Sequence, residues 1–95
     1  MPLTIYSLEG CPYSIKSESL LKLYNPKIIK VSQAEKDKYK KQNDMTTFPQ
    51  IFLDNIKIGG LDSVTALLAK IFNGEKINFN TTDSDKLVKF FLNKK

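Results

Sequence analysis

Three consecutive segments near the start of the chain restrict its fold more than any others. "LTIYSL" (residues 3–8) alternates Leu3, Ile5 and Ser7 against Thr4 and Tyr6, the period of a half-buried strand. "YSIKSESLLKLY" (13–24) sets Tyr13, Leu20, Leu21 and Tyr24 on one helical face, with Ser17 as a small residue on the same stripe. Asn25-Pro26 ends that helix, because proline drives the residue before it out of the α region. "KIIKV" (27–31) then reads as a second strand. A strand, helix, strand succession cannot close as a tight hairpin. The two strands are therefore expected to pair in parallel through a right-handed crossover.

The remaining elements follow from shorter signals. Ser32 and Glu35 form a capping box in "SQAE", which predicts a helix from residue 32 to about Asn43 with a lysine-rich, solvated face. Ile51, Phe52 and Leu53 make a third strand, Asp54-Asn55 suits a hairpin turn, and "IKI" (56–58) makes a fourth. After Gly59-Gly60, the residues Val64, Leu67, Leu68, Ile71 and Phe72 recur at helical spacing, and Asn73-Gly74 supplies a left-handed end. In the tail, Leu87, Phe90 and Phe91 predict a short helix capped by Thr or Asp near 82–83. The expected architecture is α/β: a four-stranded mixed sheet with helices on both faces, βαβαββα plus a C-terminal helix, in a single domain over residues 1–95.

Composition removes several classes of function. One cysteine cannot form an internal disulfide, and without histidine there is neither a Cys/His zinc cluster nor an imidazole to activate a nucleophile. The net charge of +5 comes from 15 lysines and no arginine, which argues against sequence-specific reading of nucleic acid, so no nucleic-acid partner is expected. No run approaches the ~18 apolar residues of a membrane span, and the N-terminus lacks the charged and apolar regions of a signal peptide. A reducing, cytoplasmic setting is the expectation, and a free thiol suits it.

Three short constellations carry chemistry. Cys11 follows a strand and opens a helix, with Pro12 at the position where a missing N–H costs nothing. The unpaired N–H groups of a helix start favour thiolate over thiol, and Ser14, one turn on, can offer its hydroxyl to the sulfur. Phe48-Pro49 stands just before a strand. A cis bond there would leave the Phe48 N–H and C=O free to pair with an extended peptide, while a plain loop proline is the simpler alternative. "GGLDS" allows close approach and presents backbone N–H groups to a carboxylate, or is a helix start capped by Asp62 and nothing more.

Together, "CPYS", "TFPQIF" and "IGGLDS" resemble the glutaredoxin family of the thioredoxin-fold superfamily over roughly residues 3–73, with 74–95 as an extension. The resemblance implies a glutathione-dependent thiol–disulfide oxidoreductase of thioredoxin-like fold. Its active site would be Cys11, Pro12, Tyr13 and Ser14. Its glutathione contacts would be Tyr13, Lys36, Thr47, Phe48, Pro49, Gly60, Leu61, Asp62 and Ser63. The lysine that the family places three residues before the cysteine is replaced by Leu8, which weakens the expected grip on glutathione. Ser14 is either a natural serine form or a Cys→Ser form of the commoner "CPYC".

A single thiol suffices to reduce protein–glutathione mixed disulfides, because a second glutathione can regenerate Cys11. Glutathione and glutathionylated proteins are therefore the expected partners of a monomer. The alternatives are a [2Fe–2S] cluster bridged between two subunits through Cys11, and a redox-inactive binding module that uses the same groove.

Overall fold

The computed structural model describes residues 3–93; the ends of the expected 1–95 unit, residues 1–2 and 94–95, lie outside the described residues. β1 (Leu3–Leu8), α1 (Pro12–Leu20) and β2 (Lys27–Val31) form the opening unit, with a 3₁₀ turn at Lys22–Tyr24. A second 3₁₀ turn (Gln33–Glu35) leads into α2 (Lys36–Asn43), followed by β3 (Gln50–Leu53), β4 (Ile56–Gly59), α3 (Leu61–Phe72) and α4 (Thr81–Asn93). The sheet runs β2-β1-β3-β4. β1 and β2 are parallel, as the intervening helix requires, and β1/β3 and β3/β4 are antiparallel.

The two faces of this sheet differ. Leu3 and Ile5 of β1, Ile51 and Leu53 of β3, and Ile56 and Ile58 of β4 point inward with Leu21, Val64, Leu67, Ile71, Leu87 and Phe91 to build the core. The opposite face carries Tyr6 and Phe52, whose rings meet edge to face at 5.9 Å, and Tyr39 of α2 packs on Tyr6 at 5.5 Å. No residue of α2 is fully buried, in keeping with its lysine-rich sequence.

Several boundaries differ from the sequence expectation. The inner face of α1 is Ser14, Ser17 and then Leu21, whereas Tyr13 and Leu20, expected on that face, are exposed. α1 packs beside β1 at close range, and small residues fit that gap where large ones would be driven out. The Glu35 carboxylate closes the capping box by accepting from the Ser32 N–H and hydroxyl, at 3.4 and 3.1 Å, but the first turn it caps is 3₁₀, and α2 proper starts at Lys36. α4 starts before the Thr/Asp pair: Asn80 is its cap, with its Oδ1 accepting from the Asp83 N–H at 2.8 Å. At 13 residues α4 is longer than the short helix expected, and Ile77, in the connection before it, is buried.

Candidate functional site

A four-residue turn sets the position of Cys11. The Cys11 N–H donates to the Leu8 carbonyl at 3.2 Å, and Gly10 between them takes a positive φ of 73°, a conformation that L side chains disfavour. Cys11 is the N-cap of α1 with extended backbone, and Pro12 is its first helical residue. The half-buried sulfur thus stands at the positive end of the helix dipole, among N–H groups with no helical partner.

Against expectation, Ser14 makes no hydrogen bond to the sulfur among the described residues. It is fully buried, and its hydroxyl oxygen accepts from the Leu8 N–H at 3.1 Å, fastening the helix start to the end of β1. Below it, the Ser7 hydroxyl donates to the Glu18 carboxylate, which also accepts from Lys30 at 3.0 Å. These contacts, the Ser7 bond foremost, hold the Glu18 carboxyl below the usual glutamate range, against the opposing effect of burial. They pin α1 to both β1 and β2.

The second constellation arrives from 37 residues away. The Phe48–Pro49 peptide bond is cis, and the Phe48 carbonyl oxygen lies 4.0 Å from Cys11 Sγ. Among the described residues no other backbone group takes up the Phe48 N–H or C=O. The third constellation is the entry to α3. Gly59 has φ 124°, and a Cβ built on it would meet Ser63 Oγ at 2.7 Å, so only glycine permits this close approach. Gly60 caps α3 beside the Pro49 carbonyl.

These segments enclose an open cleft of about 330 Å³. It is lined by Tyr13 of α1, by Thr47, Phe48 and Pro49, and by Gly60, Leu61, Asp62 and Ser63 at the start of α3. Cys11 stands at its edge through the contact with Phe48. All the expected glutathione contacts therefore come together except Lys36, which heads α2 and is not part of the cleft wall. A larger groove of about 580 Å³, between Glu75–Phe79 and α4, contains none of the three segments.

Sequence reasoning missed Gln50, which is fully buried in β3 directly after Pro49. Its Oε1 accepts from Asn43 Nδ2 at 2.7 Å, and its Nε2 donates to the Thr47 carbonyl at 3.3 Å. An amide at a strand start on the same face as Phe52 was the available signal.

Comparison with known proteins agrees with this geometry. The family model for glutaredoxin matches residues 3–58. Glutaredoxin 1 of Rickettsia prowazekii is 40% identical over 78 residues, covering 76% of this chain and 75% of that protein. Glutaredoxin 3 of Escherichia coli K12 is 36% identical over 70 residues, covering 70% and 84% respectively. The crystal structure of glutaredoxin 1 from Francisella tularensis complexed with cacodylate has a TM-score of 0.60 at 28% identity, covering 76% of this chain and 96% of that one. With the family match spanning more than half its length, and the thiol, the Phe48-Pro49 loop and the Gly-Gly turn gathered at one cleft, the chain belongs to the glutaredoxin family of thiol–disulfide oxidoreductases.

Proposed function

We propose that the protein reduces protein–glutathione mixed disulfides with Cys11 as its single redox thiol. The observation that carries this is the position of Cys11 Sγ, 4.0 Å from the Phe48 carbonyl at the edge of a cleft with free backbone groups and a helix start. An extended tripeptide laid on Phe48 would bring its sulfur to Cys11. Its γ-glutamyl carboxylate would meet the N–H groups of Leu61, Asp62 and Ser63 at the α3 start.

In the first step the Cys11 thiolate attacks the glutathione sulfur. A Cys11–glutathione bond forms, the original disulfide breaks, and the protein sulfur leaves as thiolate and takes a proton from water. A second glutathione thiolate then attacks the bound glutathione sulfur, which releases glutathione disulfide and restores Cys11. Ser14 cannot resolve a mixed disulfide with a protein, so direct reduction of protein disulfides is expected to be slow. Glutathione and glutathionylated proteins are the partners, in the reducing cytoplasmic setting where glutathione is abundant.

A [2Fe–2S] cluster takes four ligands, commonly four thiolates. The chain has one thiolate to offer, and among the described residues no three His, Cys, Asp or Glu side chains gather as a metal site. One chain alone therefore does not hold a cluster, and the expected alternative, a cluster bridged between two subunits, would draw on Cys11 of each; a colourless monomer after anaerobic reconstitution would end it.

Mass spectrometry after exposure to oxidised glutathione tests the proposal. The expected result is one glutathione on Cys11, removed by reduced glutathione and absent from Cys11→Ser. Brisk reduction of a protein disulfide without glutathione, or an unmodified Cys11, would sink it.

A further inference from the structure

The segment between α2 and β3 has few fastenings. Met45 N–H reaches back to the Lys40 carbonyl at 3.0 Å. Beyond it, the hydrogen bonds that residues 46–48 receive among the described residues come from the Gln50 side chain and Cys11 Sγ alone. Gln50 is fully buried, and an apolar residue of similar length would fill its space without the cost of desolvating an amide. Both ends of that amide are engaged. Asn43, the last residue of α2, holds the Oε1, and the Nε2 is thereby turned to the Thr47 carbonyl.

The Thr47 C=O and the Phe48 N–H belong to one peptide unit. In a trans unit these two groups point in opposite directions. A hydrogen bond that holds the Thr47 carbonyl toward buried Gln50 therefore aims the Phe48 N–H the other way, toward the open cleft. We propose that Gln50, oriented by Asn43, is a positioning residue that orients the Thr47–Phe48 peptide unit, so that substrates carrying a pairing amide are preferred over other disulfides. This rests on the reading that the glutathione backbone pairs with Phe48.

The test compares two disulfides of one cysteine-containing peptide: its glutathione form, and its form with 2-mercaptoethanol, which has no amide to pair. Both are assayed with the full chain and with reduced glutathione as the electron donor. The parent protein is expected to favour the glutathione form. In Gln50→Met, kcat/KM is expected to fall about three- to tenfold on the glutathione form and to stay within about twofold on the mercaptoethanol form, the size of one lost hydrogen bond. A parent without that preference removes the reading of Phe48 itself. A parent with it and a Gln50→Met protein that keeps it, or that loses both activities equally, overturns the positioning role alone. If Gln50→Met does not fold, as judged by near-ultraviolet circular dichroism, Asn43→Ala decides. It releases the amide from a half-buried site and is expected to lower the same preference, and an unchanged preference overturns the proposal.

Discussion

The chain has no imidazole to act on Cys11, and Leu8 stands where a lysine was expected, so the contacts that set Cys11 are made of backbone. Four elements contribute: the Leu8 carbonyl that closes its turn, Gly10 at positive φ, Pro12 at the helix start and the Phe48 carbonyl opposite. The same economy holds at Gly59. Gly59→Ala would place a methyl group 2.8 Å from Ser63 Cβ at a φ of 124°, and is expected to lower stability by about 1–3 kcal/mol. A urea titration checks this, and a midpoint equal to that of the parent would contradict it. Lys36 does not line the cleft, so its pairing with a ligand carboxylate would be a peripheral contact. Lys36→Ala should raise KM for a glutathionylated peptide no more than about fivefold, with kcat unchanged. The residues Cys11, Phe48-Pro49 and Gly59-Gly60 were legible in the sequence because each is a local breaker or reactive type. The partners of Ser14 and Gln50 were not, because a hydroxyl or an amide has many acceptors and donors within reach until the fold removes most of them.

At the scale of elements, periodicity and end signals located every strand; on α1 they put Ser17 and the following Leu21 on the inner face correctly, and Tyr13 and Leu20 there wrongly. α1 has no strong apolar stripe, so only its approach to β1 decided that Ser14 joins Ser17 inward while Tyr13 and Leu20 turn outward. The seam they make is polar and is joined by the Ser7–Glu18–Lys30 contacts. Because the Glu18 carboxyl is held below its ordinary value of about 4.3, its contribution to stability is fully present above that value and is lost as pH falls through the lower, folded-state value. Parent and Glu18→Gln stabilities, measured by urea titration across pH, should therefore differ most above pH ~5 and converge in acid. A constant difference would show that the carboxylate charge is not what matters. α2, with no fully buried residue, is expected to exchange its amide hydrogens faster than α3, whose Val64, Leu67 and Ile71 lie in the core. Equal protection would indicate that the Tyr6–Tyr39 contact holds α2 more firmly than its burial implies.

For the whole molecule, the tail matters more than its sequence signals suggested. Tyr24 packs against Phe90 and Phe91, its hydroxyl donates to the Phe91 carbonyl at 3.3 Å, and Leu87 and Phe91 are fully buried in the common core. Phe91→Ala should cost about 3–5 kcal/mol, a large share of the ~5–15 kcal/mol typical of a domain. Calorimetry would register this as a marked fall in Tm, whereas a tail that were a mere appendage would leave Tm in place. No helix among the described residues is long and apolar enough to cross a membrane.

By itself the sequence determined the order of elements, the parallel start of the sheet, the place of Cys11 between a strand and a helix, and the three segments that meet at the cleft. Each of those is encoded within a few residues, by side-chain period, caps and chain breakers. The tertiary structure alone decided that Ser14 would turn inward to the Leu8 N–H, that Tyr13 and Leu20 would face outward, that Gln50 would clasp Thr47, and that Tyr24 would pack on Phe90 and Phe91. Those outcomes depend on surfaces meeting across tens of residues, where fit between packed faces selects one arrangement among many that local preferences allow.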